Sequence, residues 1–149
     1  MIAIQKRIVC GSVFLLQLAM GLAGAPLSPE DANKWMDHLT PLPREISIPA
    51  RLTLKPGEIA VRGITNASAI VEQAVHEMSQ LVKASPTAAH DAKFKITFQL
   101  GGSEAESLKS LKNSDQAYRI LPEDGDHGLR LVALAERGLC YAGKTLQQL

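Results

Sequence analysis

Aromatic residues are scarce: three Phe, two Tyr and one Trp in a chain of 149 residues. Surfaces that stack sugar rings or bases on aromatics need several such rings on one face, so the composition speaks against a module of that kind. Charge of one sign is lacking too. The formal net charge is +1 and no Lys/Arg cluster stands out, which removes the electrostatic basis for a nucleic-acid binder. The four histidines, His38, His76, His90 and His127, show no i, i+3 or i, i+4 pairing, and His76-Glu77 is followed at the helical spacing by Gln80 instead of a second His. That excludes the usual zinc helix, and no cofactor or metal is expected. There is no G-x-S-x-G elbow, and Gly101-Gly102 lacks a phosphate-loop lysine. Cysteine occurs at Cys10 and Cys140 only.

The first 25 residues, "MIAIQKRIVCGSVFLLQLAMGLAGA", form a segment of their own. Lys6 and Arg7 precede an apolar run from Ile8 to Met20, and small residues follow at Gly21, Ala23, Gly24 and Ala25. This order of basic, apolar and small residues predicts a secretory signal peptide over 1–25 and an exported, periplasmic or secreted protein. The alternative is an uncleaved anchor, since the run approaches spanning length. Cleavage leaves no stable membrane span. It also removes Cys10, so Cys140 is left without an intramolecular partner, and loss of Lys6 and Arg7 turns the net charge from +1 to −1.

A lead-in linker follows over 26–38, part of a stretch from Ala25 to Pro43 that holds four of the eight prolines, with a short helix expected from Pro29 to His38, started by Ser28 or Pro29. Trp35 lies in it as a candidate docking aromatic. From Arg44 the pattern has period two. Ile46 and Ile48, then Leu52 and Leu54 beyond Pro49, predict a strand pair or one bent edge strand. Pro56-Gly57 reads as a turn and Glu58–Arg62 as a strand. The period then changes: Ala67, Ile70, Val71, Ala74, Val75, Met78, Leu81 and Val82 follow helical spacing. Thr65 or Asn66 is the expected cap and Ser85-Pro86 the expected stop. "KFKITFQL" (93–100) alternates Phe94, Ile96 and Phe98 against polar residues, which marks a strand with one buried face. A short surface helix over Glu104–Lys112, a hairpin of strands around Tyr118-Ile120 and Leu129-Leu131, and a last helix over Leu139–Leu149 complete the series. This order predicts an α+β fold, a two-layer α/β sandwich whose mixed sheet carries helices on one face.

Few residues offer chemistry. Glu123, Asp124 and Asp126 cluster beside Gly125 and Gly128, a composition that suits a solvated turn better than an acid/base pair. Cys140 sits on the apolar side of a helix and reads as a small hydrophobe. Asn66-Ala67-Ser68 is a glycosylation sequon placed at a helix start. No catalytic residue emerges.

The second half carries one more pattern. "DQAYRI", a turn, "HGLRLVA" and then "ERGLCYAGKTLQQL" resemble the domain that precedes the catalytic barrel in family 20 glycoside hydrolases, the β-N-acetylhexosaminidases. Related domains precede the barrels of family 84 and of some α-glucuronidases. Tyr118, Gly128, Leu129, Gly138, Leu139, Tyr141, Thr145, Leu146, Gln148 and Leu149 occupy the motif positions, and "LTPLPREISI" (39–48) is similar to the opening of the same domain. Cys140, Ala142-Gly143 and Lys144 depart from the pattern.

The resemblance covers 39–149. It implies a non-catalytic α/β domain of an exported glycosidase that acts on N-acetylhexosamine-containing glycans. That domain packs against a (β/α)8 barrel not present in this chain. The family's catalytic Asp-Glu pair lies on that barrel, so no catalytic position carries over. Leu139, Tyr141, Leu146 and Leu149 are the expected barrel-docking face, with the barrel as partner. The alternative is a free-standing carbohydrate- or protein-binding module with a glycan as ligand.

Overall fold

The computed structural model describes residues 2–4, 25–37, 39–40, 43–48, 50–84, 92–123 and 127–149, the first stretch by its backbone alone. In chain order the elements are β1 (Ile2–Ile4), β2 (Ala25–Pro26), α1 (Pro29–Met36), β3 (Ala50–Leu52), β4 (Ile59–Arg62), α2 (Ala69–Leu81), β5 (Phe94–Leu100), α3 (Ser103–Glu106), β6 (Tyr118–Pro122), β7 (Gly128–Ala133) and α4 (Glu136–Gln148).

The main sheet has strand order β4-β5-β7-β6. β4 and β7 flank β5 in parallel, and β6 pairs antiparallel with β7, so the sheet is mixed. The alternation read in "KFKITFQL" sets its faces. Phe94, Ile96 and Phe98 are buried, and their ladder partners Ile59, Leu129 and Leu131 are buried on the same side. Helices α2 and α4 cover that side and pack on each other. Together with the sheet they close one core around Val71, Met78, Phe98, Leu131, Leu139 and Leu146. The α+β two-layer sandwich predicted from the sequence is the fold found.

The two long helices run parallel, and contacts along their seam fix this. Glu136 on α4 accepts the Ser68 N–H at the start of α2 at 3.1 Å, and the Lys144 ammonium pairs with Glu77 near their ends. Ser68, not Thr65 or Asn66, occupies the N-cap of α2. Asn66 turns the chain just before it, with a positive φ of 56°. In a capping box the cap's own N–H is taken by a glutamate of the same helix; here Glu136 of the neighbouring helix does this. The apolar stripe of α2 is also wider than its buried face. Val71, Ala74 and Met78 are buried, but Ile70 is 63% and Leu81 57% exposed. The expected stop at Ser85-Pro86 lies outside the described residues; the helix ends in a turn at Val82-Lys83, where Lys83 adopts φ 49°.

Two further readings are corrected. The period-two stretch from Arg44 yields only the short strand β3, and its partners are β1 and β2 in a separate sheet. A proline has no N–H for a ladder, which fits a strand that begins after position 49. The side chains of Ile48 and Leu52 are nonetheless buried. Ile2–Ile4, within the segment read as a signal peptide, pairs antiparallel with β3. The helix expected over Glu104–Lys112 is the single turn α3 followed by further turns, and it buries Ala105 and Leu108 against the β6–β7 side of the sheet. The hairpin forms with Tyr118 opposite Ala133 and Pro122 opposite Leu129; its tip, 124–126, lies outside the described residues. Ser28 caps α1 as expected, accepting the Asp31 N–H at 3.1 Å.

Candidate functional site

Helix α4 presents the four residues expected to meet a barrel, and the structure separates them. Leu139 is 0% and Leu146 4% exposed, so both face the domain's own sheet and are not available for docking. With Ala142 and Gly143 they form the i, i+3, i+4, i+7 stripe that buries a helix. Tyr141 points to the opposite side and is 44% exposed. Leu149 is half-buried at the end of the helix, on the wall of a groove. The outer surface of the helix layer is therefore built from other positions: Ile70 on α2, Tyr141 on α4, and the Glu77–Lys144 pair that bridges them. Cys140 Sγ lies in this seam, 3.6 Å from the Ile70 carbonyl to which it donates.

Several motif residues prove to hold one another. The Tyr118 hydroxyl on β6 and the Thr145 hydroxyl on α4 are 2.6 Å apart in a hydrogen bond. Thr40 donates its N–H to Gln148 Oε1 at 2.9 Å, and its carbonyl accepts from Gln148 Nε2 at 3.2 Å. The side-chain amide thus reads both backbone groups of one residue, which joins the opening stretch "LTPLP" to the terminal "QQL". Gly138 sits where α4 passes over the β6–β7 edge. A β-carbon there would lie 2.5 Å from the Ala117 carbonyl and 2.8 Å from the Ala133 Cβ. Gly128 is equally confined, by the Lys95 carbonyl at 2.5 Å. None of these links was legible as a pairing in the sequence, because each joins residues that lie far apart along the chain.

Chemistry is sparse among the described residues. No group of His, Cys, Asp and Glu could hold a metal ion. His76 shares a hydrogen bond with Gln80 at 2.9 Å on the exposed side of α2, and His127 is exposed; His38 and His90 lie outside the described residues. The perturbed carboxylates belong to surface pairs. A hydrogen bond from Lys93 holds Glu58 below the usual glutamate range, one from Lys144 does so for Glu77, and Ser68 does so for Glu136. Burial, then the nearby Glu136 charge, pushes the Cys140 thiol up, the opposite of what a thiolate nucleophile needs. Of the carboxylate cluster, only Glu123 is described. Its Oε2 is buried against Gly128 with no hydrogen-bond partner, so this residue is not the solvated turn acid read from composition. On the same face of the sheet, Arg130 reaches Gln99 at 3.5 Å while its Nε is buried and unpartnered.

A groove of about 510 Å³ opens at the C-terminal ends of α2 and α4. Ile59, Met78 and Leu146 lie along it, with Trp35 of α1 and Leu81 at its sides. Trp35, on the largely exposed helix α1, is itself half-buried beside this groove. No described helix is long and apolar enough to cross a membrane.

Compared with models of protein families, with curated proteins and with solved structures, the chain has no significant match.

Proposed function

We propose that this chain is the non-catalytic accessory domain of an exported glycoside hydrolase acting on N-acetylhexosamine-containing glycans. In this reading it packs against a (β/α)8 catalytic barrel through the outer surface of the α2–α4 layer. The observation that carries the reading is the mutual bonding of the residues on which the family resemblance rests. Tyr118 bonds Thr145, Thr40 bonds Gln148, and Gly138 permits the close approach of α4 to the sheet. A motif made of framework contacts and no reactive groups suits a scaffold domain, whose chemistry is supplied elsewhere. Ile70 and Tyr141 give the outer helix surface the apolar anchors that a partner would cover.

A glycan-binding module is the weaker reading. Trp35 is the sole indole, and the groove it borders is walled by Leu, Ile and Met side chains, without the row of rings that stacks successive sugar units.

The test has two arms. The purified chain alone should not hydrolyse a chromogenic N-acetyl-β-glucosaminide; turnover by clean protein refutes the proposal. Mixed with an isolated family 20 barrel, the chain should form a complex that Ile70→Glu and Tyr141→Glu each weaken at least tenfold, the loss of one central apolar anchor. Export is tested by fractionating cells and reading the N-terminal mass of the mature protein, which should begin near Pro26.

A further inference from the structure

The groove beside Trp35 has a chemical character that the accessory-domain reading does not use. Its floor is apolar: Ile59, Met78 and Leu146 are buried by the domain itself, and Leu81, 57% exposed, extends the apolar wall outward. Its volume of about 510 Å³ falls within the range of small-molecule sites. The polar residues on the rim are two lysines and two glutamines, and among the described residues no Asp or Glu lines it.

The lysines stand on adjoining segments. Lys55 precedes the Pro56-Gly57 turn, and the Gly57 N–H donates to the Lys83 carbonyl at 3.2 Å, which ties that turn to the end of α2. Glu58, the acid at this turn, is already engaged by the Lys93 ammonium at 2.6 Å and by the Lys55 N–H at 2.8 Å. Among the described residues neither the Lys55 nor the Lys83 ammonium has a carboxylate within ion-pair distance. The opposite wall is equally fixed, since Gln148 is held by both of its bonds to Thr40. A groove with an apolar floor and two lysines that form no ion pair among the described residues is complementary to a molecule with an apolar tail and an anionic head.

We propose that this groove binds a medium-chain alkyl carboxylate, its chain along the exposed Leu81 and the half-buried Leu54 and Val82 and its head between Lys55 and Lys83. The site lies apart from Ile70 and Tyr141, so it stands or falls independently of barrel docking.

Trp35, the only tryptophan, makes the site self-reporting. Octanoate, decanoate and dodecanoate, each below its micellar concentration, are titrated into the full chain while Trp35 emission is followed. A saturable change is expected, with affinity rising about fourfold per added methylene, while acetate gives none. Lys55→Gln/Lys83→Gln should weaken decanoate binding about tenfold, the effect of losing a charge-assisted contact, and bring it level with 1-decanol. Leu81→Gln, a change at an exposed position that spares the core, should flatten the chain-length dependence. The proposal is overturned by the absence of a saturable response at any chain length, by equal affinity for decanol and decanoate in the parent chain, or by a double lysine variant that binds decanoate as the parent does. A saturable response to an N-acetylglucosamine oligomer with none to decanoate also overturns it.

Discussion

Gly138 and Gly143 lie five residues apart on α4, and the structure predicts opposite outcomes for the same substitution. In an unobstructed helix, replacing glycine by alanine stabilises by about 0.5–1 kcal/mol, because glycine loses more backbone freedom on folding. At Gly143 the new methyl would lie 3.6 and 3.7 Å from the Phe98 ring and 3.9 Å from the Ala74 Cβ, all ordinary contacts. Gly143→Ala should therefore keep that gain. At Gly138 the methyl would lie 2.5 Å from the Ala117 carbonyl and 2.8 Å from the Ala133 Cβ. Neither neighbour is the free end of a side chain. Ala117 leads directly into β6, and Ala133 pairs with Tyr118 in the β6–β7 ladder. Relief requires the first turn of α4 to lift off the sheet, which pulls at Leu139, the next residue and fully buried. Overpacking of this kind costs about 1–3 kcal/mol, which exceeds the propensity gain. The net change for Gly138→Ala is a loss of about 1–2 kcal/mol, or a fall in Tm of roughly 3–6 °C in a domain of this size. Urea unfolding followed by circular dichroism, with an unchanged m-value, measures both variants. A Gly138→Ala protein as stable as the parent would refute the close approach of α4 to the sheet edge.

Other expectations follow from single contacts. Tyr118→Phe should cost about 1 kcal/mol, since Thr145 is buried and loses its partner, and a double-mutant cycle with Thr145→Val should show a coupling near the net value of one hydrogen bond, about 0.5–1.5 kcal/mol. Coupling indistinguishable from zero would remove the bond. Glu58, Glu77 and Glu136 titrate below the ordinary glutamate value of 4.5 in the folded protein. The stability they contribute is therefore present above that value and lost as pH falls through the lowered folded pKa values. Melting temperature should drop as the solution is acidified below about pH 5, and Glu77→Gln should flatten that dependence while matching the parent at the acid end. Cys140 should react with a thiol reagent at neutral pH more slowly than a free cysteine, because its thiol is pushed up and half-buried. Labelling at the free-cysteine rate would contradict its placement in the α2–α4 seam.

The elements with a strong period were legible because burial itself imposes that period. β5 was bounded by one face of phenylalanine and isoleucine, and Phe94, Ile96 and Phe98 are all in the core. α2 was legible for the same reason, but its limits were not. Periodicity reports which residues are apolar, not how far each is covered, so the stripe includes Ile70 and Leu81, which the fold leaves exposed. The stretch from Arg44 was misread because its alternation is carried by Ile48 and Leu52 on either side of a proline, and burial there is achieved by irregular chain and a three-residue strand. The groove was invisible in the sequence, since it is assembled from α1, the turn at Pro56-Gly57 and the ends of two helices.

The same distinction governs the terminal motif. In "ERGLCYAGKTLQQL" the apolar residues that stand out, Leu139 and Leu146, are those the domain consumes for its own core. A helix on a two-layer sandwich has one face for the sheet, so a partner can only meet what remains. Here the remainder is Tyr141, the Lys144–Glu77 bridge and the neighbouring Ile70: one ring, one aliphatic side chain and a paired charge. An interface on this surface would be anchored by few apolar groups and ringed by polar ones, the composition of a contact between domains and not of a hydrophobic core. Its strength would rest on Tyr141 and Ile70, whereas Leu139 and Leu146 would affect it only through folding. Truncating either leucine should therefore lower stability by about 2–5 kcal/mol, whereas Tyr141→Ala should leave stability within about 0.5 kcal/mol of the parent, as for an exposed position. Partner binding separates them in the opposite order: Tyr141→Ala weakens it, and the leucine variants bind as the parent does at temperatures where they remain folded.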